Sequence, residues 1–280
     1  EETQGWAAEI GRLTDIPVVA TLHGPWALLK AYQSNGVAWQ DRRRVARERA
    51  ALARVQAVTA PSRNVLGRMQ ADGALLDIPT AVIANPVPVP KHRTHAPVER
   101  MLFVGRFDRT KGGDLMIAAF AAIATRHSTC TLTFAGPDIG IQQPGQPRIG
   151  IEDALAALPA DVRNRIDVRG QCRREQIAAL RQNHGLTIVA SRYETFGGTI
   201  FEAMGAGSPL VCTDACGGAE LLEDGRTALV VPAGDAQAIA DGCLALLDDR
   251  DRAARMGLAA REFVETSLSP TIIGQQMADF

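Results

Sequence analysis

What the sequence lacks narrows it first. No stretch approaches 18 uninterrupted apolar residues, so no membrane-spanning helix of ordinary length is encoded. An excess of one charge is missing as well. The 30 basic and 31 acidic side chains leave a net charge of −1 and a sequence pI near 6.6, which argues against a dedicated nucleic-acid binder. The five cysteines, Cys130, Cys172, Cys212, Cys216 and Cys243, include no CxxC pair and meet no His-x3-His partner, so no zinc site is expected. Cys212 and Cys216 are the only close pair, and reduced, mostly buried thiols are the plainer reading. Two phosphate-binding signatures are also absent, the Walker A pattern and GxGxxG, which removes the P-loop and dinucleotide readings. The opening residues, EETQGW, carry neither the basic nor the apolar block of a signal peptide, so the expected address is the cytoplasm.

What is present is ordinary globular material, 46% hydrophobic and 22% charged, in 280 residues. At roughly 150 residues per domain, that length favours two modest domains. Short apolar runs alternate with helical patterns. Strands are expected at Ile16 to His23, Val55 to Ala60 and Thr80 to Ala84, with helices at Asp41 to Arg54 and Arg63 to Asp72. From Asn85 to Glu99 four prolines interrupt any helix, and the boundary is placed there, giving lobes 1–97 and 98–280. The first lobe holds 12 basic and 8 acidic groups, the second 18 and 23, so the two differ in sign. Beyond the linker the expected strands are Met101 to Val104, Thr129 to Ala135, Arg165 to Val168, Leu186 to Ala190, Pro209 to Cys212 and Ala228 to Val231. Helices are expected between them at Asp114 to Ala124, Ile151 to Leu158, Arg174 to Gln182, Thr199 to Gly205, near Ala219 to Glu223, and at Ala236 to Leu247. Strands this apolar are covered on both faces, which predicts an α/β fold with a doubly wound parallel sheet, its ligands at the C-terminal strand ends.

Two of those strand ends carry unusual chemistry. In Val104 to Gly113 a strand runs into Gly105, Arg106 follows, and Lys111 comes five residues later, just before Gly112 and Gly113 open a helix. Two cations converge on one turn, unless the loop is simply a solvated charged surface. In Ser191 to Pro209, Glu194 lies on a loop after a strand, Gly197 and Gly198 let backbone amides approach a ligand, and Glu202 falls in the next helix. The positive end of that helix suits a pyrophosphate, whereas carboxylates accept from hydroxyls. A ligand with both groups is a nucleotide sugar. The plainer alternative is a capping glutamate and a surface glutamate.

The sequence resembles the GT-B family of retaining glycosyltransferases, the glycogen-synthase-like and mannosyltransferase-like group called family 4. The most specific motif is E-x7-E, Glu194 and Glu202, followed by EAMGAGSP from Glu202 to Pro209. GRFDRTKG at Gly105 to Gly112, FAGPD at Phe134 to Asp138, VRG at Val168 to Gly170, the segment Gly217 to Val231 and TLHG at Thr21 to Gly24 support it. The resemblance implies two Rossmann-like lobes with parallel sheets. It also implies transfer of a sugar from a nucleoside-diphosphate sugar to a hydroxyl acceptor, whether glycan, lipid-linked sugar or small molecule, with retained configuration.

By the same resemblance Glu194 accepts from hydroxyls of the transferred sugar, Glu202 from the ribose, and His23 meets the donor sugar. Arg106 and Lys111 stabilise the leaving diphosphate, and Gly105, Phe196, Gly197, Gly198 and Thr199 frame the nucleotide. No DxD loop is found; Asp249 and Asp251 read as a solvated helix, so no metal and no tightly bound cofactor are expected. No covalent glycosyl-enzyme is expected on Glu194.

Two first-lobe features stand apart. Asp41 to Arg54 carries six arginines, read as a solvated helix face or as a peripheral contact with anionic lipid or an anionic acceptor. Ser62 reads as the cap of the helix after it. Only three strands precede the linker, so the first lobe is expected to be incomplete at its N-terminus, with the strand from Ile16 exposing an apolar edge and turnover impaired. A non-catalytic sugar-nucleotide binder and a same-fold epimerase are the alternatives.

Overall fold

A computed structural model describes residues 13, 16–32, 39–73, 75, 77–142, 145 and 147–280. The chain divides into two compact units, Glu1–Asn85 with Ile273–Phe280, and Pro86–Ile272. The boundary thus falls at the start of the proline-rich stretch, not at 97/98. That stretch is hydrogen-bonded into the second unit. Val87 N donates to the Leu268 carbonyl at 2.8 Å and Thr94 N to that of Ala206 at 2.7 Å. The Thr94 hydroxyl reaches the carbonyls of Gln182 and His184. Prolines that cannot continue a helix can still lie along a wall, provided the remaining amides find acceptors.

In the first unit three short strands, β1 (Val19–Thr21), β2 (Ala57–Ala60) and β3 (Thr80–Val82), pair in parallel in the order β1-β2-β3. The first is shorter than its apolar run, since His23 N turns back to the Thr21 carbonyl at 3.1 Å. Among the described residues β1 pairs on one side only, and Ile16 and Val19 are 61% and 47% exposed. The expected helices form at Trp39–Leu52 and Arg63–Ala71, the latter capped by the Ser62 hydroxyl, which accepts from Val65 N at 3.3 Å. A further helix, Trp26–Tyr32, was not expected from the sequence. Its start is secured from a distance by buried Glu48, which accepts from Trp26 N at 2.9 Å and Ala27 N at 3.3 Å. Burial pushes the Glu48 carboxyl up, and those two backbone donors pull it part of the way back.

Arginines of the Trp39–Leu52 helix are partly engaged within this unit. Arg43 lies over the Trp39 ring, Arg44 over that of Trp26, and Arg49 pairs with Asp72.

The second unit holds six parallel strands: β4 (Arg100–Val104), β5 (Thr131–Ala135), β6 (Ile166–Gly170), β7 (Leu186–Val189), β8 (Leu210–Thr213) and β9 (Leu229–Val231). Their order is β6-β5-β4-β7-β8-β9, so the winding reverses between β4 and β7. In such sheets the crevice beyond the strand ends at the reversal receives the ligand. Phe103, Phe134 and Ile188 on the strands are buried, as are Phe120 and Ile123 from the Gly113–Arg126 helix and Leu246 from the Ala236–Asp248 helix. Those two helices pack against each other, while the Arg174–Asn183 and Gly198–Gly205 helices contact β4, β7 and β8; β7 and β8 are buried along their whole length, as strands covered on both faces are.

Two local expectations are corrected, and a third, the solvated helix at Asp249 and Asp251, gains a cap. The helix expected at 151–158 ends at Ala156, and Pro159 starts a separate turn, Ala160–Arg163. The helix expected near 219–223 is a 3₁₀ turn at Gly217–Leu221, held by Gly218 N donating to the Phe196 carbonyl at 2.8 Å. Asp249 is the cap of the Arg250–Ser267 helix, its side chain accepting from Arg252 N at 2.8 Å.

Gly112 fixes how closely the loop after β4 approaches β7. Its φ is +70°, and a Cβ there would lie 1.9 Å from the Ala190 carbonyl oxygen. Gly170, with φ +61°, has open space around the same position. Gly170→Ala is therefore expected to cost about 1 kcal/mol, the left-handed strain alone, and Gly112→Ala at least about 2 kcal/mol more, because backbone must move. Guanidinium unfolding of the two variants measures the difference.

All cysteines except Cys172 are buried. Desolvation pushes the Cys130 thiol up to about 11 and that of Cys216 to about 12, and raises Cys212 and Cys243 as well. An aromatic disulfide reagent at pH 8 should therefore find one fast thiol in the folded chain, with the remainder reacting only after denaturation. More than one fast thiol contradicts the packing.

Candidate functional site

The loop leaving β4 is built on carboxylate caps. Asp108 accepts from the Arg106 side chain (Nε to Oδ2, 2.6 Å) and from the Lys111 amide (N to Oδ1, 2.7 Å), so one buried aspartate fixes both ends of the turn that carries the two cations. Gly112 then enters the Gly113–Arg126 helix through the left-handed region, where a residue without Cβ is favoured. Gly105 N donates to the Ala135 carbonyl at 2.9 Å, and the glycine lies against the Phe103 ring.

The loop leaving β7 meets it. Lys111 Nζ pairs with Glu194 Oε1, and the Ser191 hydroxyl donates to the same oxygen at 3.0 Å. Arg192 clamps the two loops together. Its guanidinium grips Asp114 through both terminal nitrogens, at 2.8 and 2.7 Å, while its backbone N donates to the Thr110 carbonyl at 2.8 Å. Glu194 also makes a parallel bridge with Cys216, and its carbonyl accepts from Gly217 N at 2.9 Å. Gly197, at φ +87°, starts the Gly198–Gly205 helix, whose first turn has no side-chain cap. Helix geometry leaves the first amides of such a turn without intrahelical acceptors, so Gly198 and Thr199 present N–H groups at its positive end. The Phe196 side chain is buried and stacked on Phe201 at 4.5 Å, so it braces this turn from beneath.

Glu202 has a different neighbour. One turn into the helix, half-exposed, it accepts from Arg181 Nη2 at 2.8 Å, and Arg181 itself is 5% exposed. Burial lowers the Arg181 guanidinium from its usual range, and the Glu202 charge works against that. The pair lies on the wall of a cavity of about 470 Å³, otherwise largely apolar, lined by the Pro88–Pro90 segment and the Arg174–Asn183 helix.

The structure thus brings together Arg106, Lys111 and Glu194, with the glycines and Thr199 on the adjoining loop and helix start. Glu202 pairs instead with Arg181. His23 is exposed just beyond β1 in the first unit. Sequence reasoning missed Asp108, Asp114, Arg181, Ser191 and Arg192. Only Asp114 carried a signal, an acid in a helix's first turn. Among the described residues no three His, Cys, Asp or Glu side chains gather as a metal site, and no helix is long and apolar enough to cross a membrane.

Comparison with known proteins converges on one family. Residues 90–263 match the model described as "Glycosyl transferases group 1", and residues 2–90 the one described as "Glycosyltransferase Family 4". The alpha-D-kanosaminyltransferase of Streptomyces kanamyceticus is 32% identical over 178 residues, 64% of this chain and 44% of that protein. The D-inositol 3-phosphate glycosyltransferase of Arthrobacter sp. (strain FB24) is 27% identical over 277 residues, 90% of this chain and 62% of its own. The chain therefore spans less than two thirds of these curated relatives.

Among solved structures, sucrose-phosphate synthase from Thermosynechococcus elongatus superposes with a TM-score of 0.78 at 24% identity, covering 98% of this chain and 70% of that one. Anabaena Alr3699/HepE in complex with UDP and glucose gives 0.74 at 22%, covering 97% and 73%. With the parallel sheets of its two units and these matches, the chain has the GT-B fold and belongs to the group 1 glycosyl transferases.

Proposed function

We propose that the protein is a retaining glycosyltransferase that moves a sugar from a nucleoside-diphosphate sugar to a hydroxyl acceptor. The observation that carries this reading is the meeting of Lys111, Arg106 and Glu194 with an uncapped helix start at the β4/β7 reversal. That place offers cations and amides to a diphosphate and a carboxylate to sugar hydroxyls. The presence of UDP and glucose in the HepE complex supports the choice of donor class.

In this reading the bond between the anomeric carbon and the diphosphate oxygen breaks with its electron pair on the diphosphate. The acceptor oxygen forms its bond on the same face, and its proton passes to the departing phosphate oxygen. Charge grows on the leaving group, and Lys111, Arg106 and the amides of Gly198 and Thr199 are the donors aimed at it. Glu194 orients the sugar by accepting from its hydroxyls, and is not a nucleophile. Glu202 is assigned to the ribose. The leaving group is stabilised without a metal ion. Peripheral membrane contact is not part of this reading, because Arg43, Arg44 and Arg49 stack or pair within their own unit.

A thermal-shift screen with UDP, GDP and ADP sugars should reveal the donor, and nucleotide release with and without acceptor separates transfer from binding. Lys111→Ala is expected to lower kcat by about 100-fold or more, as for removal of one oxyanion donor. EDTA should leave the rate unchanged. A soaked donor whose phosphates settle far from Arg106 and Lys111, or a glycosyl adduct isolated on Glu194, defeats the mechanism.

The Arg192–Asp114 clamp should matter for geometry. Arg192→Leu is expected to reduce kcat/KM by about 10- to 100-fold through misplacement of Lys111 and Glu194, while Arg192→Lys recovers only a part, because an ammonium cannot grip both oxygens. Steady-state kinetics of the two variants decide it.

A further inference from the structure

Arg181 is a buried cation whose position the proposed chemistry does not yet explain. Two of its three guanidinium nitrogens, Nε and Nη1, are buried with no partner among the described residues, and only Nη2 is used, on Glu202 Oε2. A buried guanidinium with idle N–H groups costs stability, and an apolar residue of similar size would pack there at lower cost. What the arrangement gains is rigidity in one carboxylate. The Glu202 side chain is 50% exposed and would otherwise sample several rotamers at the cavity wall. Held through Oε2 by a side chain that cannot itself move, it presents Oε1 at a fixed place beside a cavity of about 470 Å³.

We infer that Arg181 is the positioning residue for nucleoside recognition: it locks Glu202 so that Oε1 accepts from a hydroxyl of the donor's ribose, and thereby sets the preference for ribose over deoxyribose. The inference rests on the reading of the ligand as a nucleoside-diphosphate sugar. The shape of the cavity fits this use. Pro88, Pro90, Ile177 and Ala178 supply apolar surface for the nucleoside, and of the polar groups on that wall, Arg174, Gln182 and the Arg181–Glu202 pair, Glu202 is the carboxylate that can accept from a hydroxyl. A carboxylate accepting from a neutral hydroxyl in a partly desolvated site discriminates strongly against a ligand lacking that hydroxyl. The discrimination weakens if the carboxylate is free to swing into water.

The test is calorimetric, on the full chain, with UDP, GDP and ADP each compared with its 2′,3′-dideoxy counterpart. The native chain should prefer the best ribonucleotide by about 30-fold, the scale of one hydrogen bond to a charged group. In Arg181→Met that preference should fall to about 3-fold or less, with the melting temperature nearly unchanged, as expected when an apolar residue replaces a buried ion. Arg181→Lys keeps the charge and the aliphatic stem, so it is the variant to read if the methionine form does not fold. Its preference should lie between the two. A role confined to packing would move the melting temperature and leave the preference intact, and a preference intact in whichever variant folds overturns the inference. If the native chain binds no nucleoside diphosphate, the underlying donor reading fails and the inference falls with it; if it binds ribo and dideoxy forms equally, the donor reading stands and the inference alone is overturned. A native chain that discriminates while its variants still discriminate removes Arg181 alone.

Discussion

The contact between Gly112 and the Ala190 carbonyl sets the rest of the candidate site. At this approach there is no room for a Cβ, and the backbone takes a left-handed turn that few other residues tolerate. The consequence is that the residue before it, Lys111, and the residues after Ala190, Ser191 to Glu194, share one small space. Arg192 then reinforces the junction by spanning to Asp114 and to the Thr110 carbonyl. The sheet supplies the reversal point between β4 and β7, but the reversal only offers a crevice. The glycine contact is what turns two neighbouring loops into one chemical surface.

With the loops joined, each candidate charge already has a partner. Arg106 pairs with Asp108, Lys111 with Glu194, Arg181 with Glu202 and Arg192 with Asp114. Partly buried charges left alone are costly, so pairing is the expected resting arrangement. In the proposed mechanism a diphosphate arriving at Lys111 exchanges one ion pair for another instead of filling a vacant positive field. On that proposal the exchange moderates ground-state affinity and frees the Glu194 carboxylate for sugar hydroxyls at the moment the phosphate is engaged. Stabilisation that strengthens as the leaving group gains charge is the kind that raises a rate.

Much of this was legible in the chain, and the failures have definite causes. The alternation of apolar runs with 3.6-residue patterns gave the parallel sheet of the second unit nearly strand for strand, because burial on both faces leaves a continuous apolar run. Glycines beside cations at strand ends pointed to the two loops, since such residues are seldom grouped for packing alone. The pairings were not legible. Arg181 lies 21 residues from Glu202, and Arg192 lies 78 from Asp114. Nothing in the local pattern marks them, because an arginine on a helix, like Arg181, or on a loop, like Arg192, ordinarily turns to solvent. The Trp26–Tyr32 helix escaped for the same reason: Glu48, which satisfies its first amides, is supplied from another element. The boundary was misplaced because proline content reports the absence of helix, not the absence of packing.

The two glutamates of the E-x7-E spacing end in unlike company, and in the proposed mechanism that difference divides their labour. Glu194 is paired with a lysine, a point charge on a flexible stem that can follow a phosphate and release the carboxylate. Glu202 is paired with a buried arginine, whose planar fork has nowhere to go. A group near a reacting centre benefits from being able to change partners as charge moves. A group that grips the handle of a substrate benefits from staying still, because freedom there would be lost on every binding event. Eight residues apart on one loop and helix, the same side-chain type is given a movable cation in one place and a fixed one in the other. The spacing puts the carboxylates on the chain; in the proposed mechanism their cations decide which carboxylate changes partner and which stays in place.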